Sequence, residues 1–424
     1  MARSWTRIHE HLGASPGPLT FGMVRQAAAD NLAESDDLDW KEKLPEPPRD
    51  GRWNELAKDV AAMANTRGGL LIFGVRDKTT DLVGIDPDEV NVQQYAQWIR
   101  NHVQPYLSGL DFITLSDGST SVLVVDVPAS SMAPHHVYGT AAKDKDQQAA
   151  VVPYRDKDHT AWMAEHQIER AYRDRFTRAQ RAEDDIQRLV DHAQDTVFTQ
   201  QAEPAAWFIA VARPDRPIPR TAPRPFPKDA ATVIDSARTR SQTLTRDRVT
   251  VGPLAGLDFA TLDPRPGLRC WVLSTQWWGG REIHAELHHD GSVILAANLS
   301  SEALQGDFSG DRPPGEVLLV EQAFTGACCR DVVTTAHELA RRLRLDSALH
   351  LTATIATAAP SVLAPVAPEF GGAFTCVPDN ARRPHRIQPV AVSVTAADED
   401  DALREAAQDL FTDLMTQFGI TPRL

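Results

Sequence analysis

Asp39, Lys41 and Asp77 are charged residues set in and after two apolar, strand-like runs, a pattern that could bring acids and a lysine to one rim for chemistry. In the stretch DLDWKEK, strand alternation puts Leu38 and Trp40 on one side and Asp39 and Lys41 on the other. One face suits a core and the other suits chemistry. The later run LLIFGV is apolar, has the length of a strand and ends in the charged corner Arg76-Asp77-Lys78. With the two strands side by side, Asp77 stands at the rim where Asp39 and Lys41 emerge. Acids clustered in this way repel phosphate alone and become useful once a divalent ion sits between them.

The elements that must position these residues are legible around them. In LTFGMVRQAAADNLAES, Leu19, Met23, Ala27 and Leu32 have helical spacing, with Thr20 as N-cap, and this helix delivers Glu34 to the start of the first strand. Pro45, Pro47, Pro48 and Gly51 break the chain. WNELAKDVAAMANT then repeats apolar residues at Trp53, Leu56, Val60 and Met63, a helix that packs over the sheet. Asn65 to Gly69 ends it, with glycines free to take a left-handed turn. Beyond it, LVGI predicts a short strand and NVQQYAQWIRNHVQPYL a helix stopped at Pro105. DFITL and SVLVVDV predict a hairpin across Ser116 to Ser119. The sum is an α+β domain. A long polar excursion carrying His135 and His136 precedes a last strand near Pro153-Tyr154-Arg155, and loops of that length often carry function; adjacent histidines there rarely point at one ligand.

These residues also carry a resemblance. Glu34, Asp39-Trp40-Lys41, Asn65-Thr66-x-Gly68-Gly69, Gly74-Val75-x-Asp77, Val83-Gly84-Ile85, then Pro153-Tyr154-Arg155 and Thr160 fall in the order of the Schlafen AlbA-type domain, also called the AlbA-like DNA-binding or divergent AAA-4 domain. The resemblance, to the bacterial type, covers roughly residues 20–176, and Lys157 stands where the family tends to have glycine. In the nuclease branch of that family it implies three carboxylates as metal ligands, and Glu34, Asp39 and Asp77 match them, with Asp39 standing where glutamate is usual. It thus implies Mg²⁺ or Mn²⁺ if the protein cleaves, with Lys41 steadying the phosphorane. The family name equally implies a binding module without catalysis. There Lys41, Arg67 and Arg155 hold backbone phosphates of DNA or RNA, joined at the rim by Lys43, Arg76, Lys78 and Lys157.

Charge narrows the possibilities. A net charge of -14 over 424 residues excludes coating of nucleic acid by bulk electrostatics, and even the first 180 residues hold 20 Lys and Arg against 26 Asp and Glu. Any contact is a local stripe. No apolar run approaches the roughly 18 residues of a membrane span, and MARSWTRIHEHLG lacks the apolar core of a secretory signal, so the expected location is the cytoplasm. GxxxxGK[ST] occurs nowhere, and no ATP is expected. Cys270, Cys328, Cys329 and Cys376 lack CxxC spacing and read as reduced, partly buried thiols.

The second half reads as another α+β unit of no recognised family. A long helix from His159 carries Arg170, Arg173, Arg175 and Arg178 among acids, a solvated face. Five prolines from Pro214 to Pro225 mark a boundary or long loop. RCWVLST, REIHAELHHDGSVILAANL, EVLLV and LHLTATIATA predict strands, the second folding at Asp290-Gly291, while Arg330 to Leu345 and Asp400 to Phe418 predict helices. His337-Glu338 opens a metalloprotease pattern, but Arg341 stands where its second histidine belongs. His288-His289-Asp290 falls at a hairpin turn, where polarity alone accounts for it. The expected organisation is an extension over 1–19, the Schlafen AlbA-like domain over 20–180, a linking helix over 181–204 and an α+β domain over 205–424. Since one such lobe offers little basic surface, pairing about a two-fold axis is expected to double it, giving a homodimer.

Three functions stay open: nucleic-acid binding, metal-dependent nuclease action through Glu34, Asp39 and Asp77, and ligand sensing or protein interaction through the second half.

Overall fold

The computed structural model describes residues 3, 5–47, 54–140, 148–201, 203–218, 224–245, 251–278, 281–300, 317–345, 347–368, 375–376 and 381–422. Trp53, Pro48 and Gly51, used above to place the second helix and its break, lie outside the described residues. The architecture is α+β, in two units, Met1–Arg181 and Ala182–Leu424.

The first unit is built on a four-stranded sheet in the order β1-β2-β5-β4, formed by β1 (Leu38–Lys41), β2 (Gly68–Phe73), β4 (Asp111–Ser116) and β5 (Ser121–Pro128). β1 and β2 run parallel, pairing Asp39 with Leu71 and Lys41 with Phe73. A parallel pair needs a crossover, and α3 (Glu55–Asn65) supplies it, its N-terminus capped by the Asn54 side chain, which accepts from Ala57 N–H. The sheet has a core on each face. Leu38, Trp40, Leu70 and Ile72 pack with α1 (Arg7–Leu12) and α2 (Phe21–Ala29), and Leu71, Phe73, Leu123 and Val125 pack with α3 and α4 (Val92–His102). Thr20 caps α2 as the sequence predicts, accepting from Met23 N–H. Ile8, in the stretch expected to be an extension, is fully buried in this core.

The motif Asn65-Thr66-Arg67-Gly68-Gly69 is a structural pin. The Asn65 amide donates to the carbonyls of His135 and Pro153 and accepts from His135 N–H. Thr66 Oγ1 accepts from Arg155 N–H and donates to Ala62 O. Gly68 sits at φ +77°, where a Cβ would lie 2.5 Å from Val127 O, so only glycine fits.

Three local expectations change. LVGI forms a single bridge, Val75 with Leu82, rather than a strand, because Val83 and Gly84 N–H both turn back to Gly74 O. The polar excursion holds two paired strands, β6 (His136–Thr140) and β7 (Gln148–Val151). His159–Trp162, expected to open the long helix, is instead β9 paired with β8 (Pro153–Asp156), and the helix α5 runs Glu165–Gln200.

The second unit carries a seven-stranded sheet, β11-β12-β13-β14-β10-β16-β19, edged by β11 (Arg265–Pro266) and β19 (Val390–Val394). Its interior strands are β12 (Cys270–Trp278), β13 (Arg281–His288), β14 (Val293–Asn298), β10 (Trp207–Pro214) and β16 (Leu349–Ala356). One face packs on three helices, α6 (Pro227–Thr243), Gln322–Leu343 and Asp400–Thr416. On the other face Trp207, Ile209, Val211, Ile294 and Ala296 meet Val190, Ala193 and Val197. The helix expected from Arg330 starts eight residues earlier, at Gln322, since Phe324, Ala327 and Cys328 continue its buried face.

Candidate functional site

Strand β1 does what its alternation predicts. Leu38 and Trp40 are fully buried on the α2 side, and Asp39 and Lys41 emerge on the side of α3. There they line a cleft of about 760 Å³ with Glu34, Lys43, Asp77 and Arg155. Glu34 reaches it because its Oε1 accepts from Trp40 N–H at 3.0 Å, which folds the pre-strand segment back on β1.

Lys41 is held between two acids. Its Nζ lies 3.1 Å from Asp39 Oδ2 and 3.4 Å from Asp59 Oδ2, and although burial lowers its proton affinity, those carboxylates more than restore it and hold the pKa above the ordinary lysine value. Asp39 also accepts from Arg155 Nη1 at 3.2 Å. Glu34 has the opposite surroundings: burial and the neighbouring Asp39 raise its pKa to about 7, against the lowering effect of the Trp40 N–H bond. Glu34 and Asp39 thus form a side-by-side carboxyl pair whose mutual repulsion a proton relieves and a cation could relieve.

The other predicted residues divide. Arg155 is buried, its guanidinium donating to Asp39 and to the carbonyls of Ser35 and Asp158, so it braces the cleft wall. Arg67 leans on Asp36 and Asp37, and Arg76 on Glu42 and Asp81; neither lines the cleft. Lys78 and Lys157 are exposed in turns, Lys157 at φ +59°, the backbone that explains why glycine is usual there. Asp77 is exposed at the rim. Its carboxyl lines the cleft with Glu34 and Asp39, but the three do not close to one ion shell. Among the described residues, the three-residue group with all ligand atoms within 4.8 Å is Cys270, Glu286 and His288 in the second unit. His135 and His136 part company, His135 Nδ1 meeting Pro105 O and His136 Nε2 meeting Tyr172 Oη.

Sequence reasoning missed Asp59, Lys58, Glu55 and Asp158, which also line the cleft. The signal for Asp59 was available: it is an acid set in the apolar run Val60 to Ala64 of a buried helix, where a charge persists only with a partner. Among the described residues, the walls carry eight acids (Glu34, Asp39, Glu42, Glu46, Glu55, Asp59, Asp77, Asp158) against four bases (Lys41, Lys43, Lys58, Arg155). The cleft is therefore acidic, and its inner cations are already engaged.

Residues 34–163 match the family described as Schlafen, AlbA_2, so the chain carries a Schlafen AlbA-type domain there. The chain is similar to the DIP2311 protein from Corynebacterium diphtheriae, at 23% identity over 33% of this chain and 25% of that one, with a TM-score of 0.23. It is also similar to the N-terminal domain of a RecG-related protein from Nitrosomonas europaea, at 22% identity over 34% of this chain and 93% of that one, with a TM-score of 0.22. This chain thus spans a quarter of the length of the first. No curated protein matches it.

Proposed function

We propose that the first unit engages nucleic acid at the Glu34–Asp39–Lys41 cleft together with a divalent cation, and that phosphodiester cleavage is the chemistry this arrangement serves. The observation that carries the reading is the Glu34–Asp39 carboxyl pair. A buried acid and a half-buried one side by side are a poor phosphate site, since phosphate would meet like charge, and a good site for a hard cation. The residues fit such an ion: Glu34 and Asp39 would hold it, with Asp77 standing apart at the rim, and it would polarise a phosphodiester and activate water. Lys41, kept protonated by Asp39 and Asp59, presents a fixed positive charge beside the reacting phosphate. Arg155 holds the Asp39 carboxylate in place.

Metal-free binding by a basic stripe has less support, because Lys41, Arg67 and Arg155, the residues it relies on, are each paired with acids. The test is incubation with labelled single-stranded RNA, tRNA and duplex DNA, each with Mg²⁺, Mn²⁺ or EDTA at fixed ionic strength. We expect cleavage or tight retention with a divalent ion, loss of both in EDTA, and loss of both in Glu34→Gln. Retention indifferent to EDTA and to that substitution would replace the metal reading with simple binding, and neither retention nor cleavage would remove nucleic acid as the ligand.

A further inference from the structure

We propose that Cys270, Glu286 and His288 form a binding site for a zinc-class transition metal ion in the second unit, independent of the acidic cleft. The three residues come together through strand register. Cys270 on β12 pairs directly with His288 on β13, and Glu286, two residues before His288, points to the same face. Ile283, Ala285 and Leu287 point to the opposite face and into the core.

The spacing is close to that of a coordination shell. Cys270 Sγ is 3.6 Å from Glu286 Oε2, and His288 Nε2 is 3.0 Å from the same oxygen. Ligand atoms at 2.0 to 2.3 Å from a tetrahedral zinc are separated by about 3.3–3.8 Å, so small side-chain rotations suffice. His288 Nε2 is buried and lies beside the carboxylate without hydrogen-bond alignment, an arrangement that a shared ion reconciles. His284 Nε2 sits 2.9 Å from the other oxygen, Oε1, the outer contact that typically orients a ligating carboxylate. His192 Nε2, 3.1 Å from Oε1 and half-exposed, is the nearest further donor. The cluster opens onto a cavity of about 550 Å³, which leaves room for water or a small ligand.

The donor set selects the ion. Thiolate and imidazole favour zinc or cobalt over magnesium and manganese, whereas the first unit's cleft offers only hard oxygen donors. A thiolate and a carboxylate together balance the charge of a divalent ion.

The test uses the full chain, reduced and stripped with chelator, titrated with Co²⁺. We expect one high-affinity equivalent per chain with a thiolate-to-cobalt charge-transfer band, bleached by stoichiometric Zn²⁺. Cys270→Ser should abolish the band. His288→Gln should weaken Zn²⁺ binding by more than the roughly 10- to 100-fold that loss of an outer-shell partner costs. Glu34→Gln, in the other unit, should leave both unchanged. Circular dichroism separates lost ligation from lost fold, and if Cys270→Ser fails to fold, the wild-type band and the His288→Gln affinity decide the matter. Absence of the band in the wild type, its survival in folded Cys270→Ser, or unchanged Zn²⁺ affinity in folded His288→Gln would overturn the assignment.

Discussion

Glu34 in the first unit and Glu286 in the second are both carboxylates drawn out of water, yet their neighbours drive their proton affinities in opposite directions. Burial raises both. Around Glu34 the next contributor is another acid, Asp39, and the pKa reaches about 7. Around Glu286 burial is outweighed by the hydrogen bond from His284 and the imidazole of His288 beside it, and the carboxyl is held well below its ordinary value of 4.5. The same Glu286, with burial, pushes the Cys270 thiol up to about 12. What surrounds a buried acid, more than its depth, decides whether it stores a proton or a negative charge.

The contrast can be broken or sharpened by substitution, and the largest effect is expected at Asp39. Asp39→Ala leaves Arg155 buried without its carboxylate and Lys41 with one partner fewer, at a cost of about 3–5 kcal/mol by urea denaturation. A loss under about 1 kcal/mol would mean that the cleft wall is not braced by these pairs. Glu286→Ala comes next, at about 2–3 kcal/mol, since it removes the acceptor shared by His284 and His192 and the carboxylate beside His288. The stability Glu286 contributes is present above its unfolded pKa of about 4.5 and is lost as pH falls below that value, so the wild type and Glu286→Ala should converge in acid.

Glu34→Gln should act in the reverse sense. A raised folded-state pKa makes Glu34 stabilising only below its unfolded value near 4.5, an advantage lost as pH rises through about 7. The amide should therefore raise the melting temperature at pH 8 by about 2–4 °C and leave it unchanged at pH 5, a modest gain because this half-buried group is partly screened. Equal effects at both pH values would mean that Glu34 does not share its site with Asp39. The smallest change belongs to Arg67→Ala, within about 0.5 kcal/mol, because its pairs with Asp36 and Asp37 are exposed; a larger loss would put Arg67 inside the cleft network.

Much of this was open to sequence reading. Alternation in DLDWKEK gave the burial of Leu38 and Trp40 and the opposite face for Asp39 and Lys41, where Asp39 is itself buried, because side-chain direction in a strand depends only on parity. Thr20, Gly68 and the turn at Asp290-Gly291 were legible for the same local reason: caps and left-handed positions restrict which residue types fit. The cation pairings were not. Arg155 was expected at phosphate and is buried against Asp39, 116 residues earlier in the chain, and charge type alone does not say which partner a side chain will meet.

The sequence by itself therefore determined the α+β alternation, the parity of the acidic strand and the turn residues, all of which follow from backbone periodicity and local sterics. Tertiary structure alone decided that α3 places Asp59 against Lys41, that Asp77 does not join Glu34 and Asp39 in one ion shell, and that strand register sets Cys270 opposite His288 with Glu286 beside them. Those contacts join residues distant along the chain, and the free energy that selects them comes from packing the two faces of each sheet rather than from the residues that meet there.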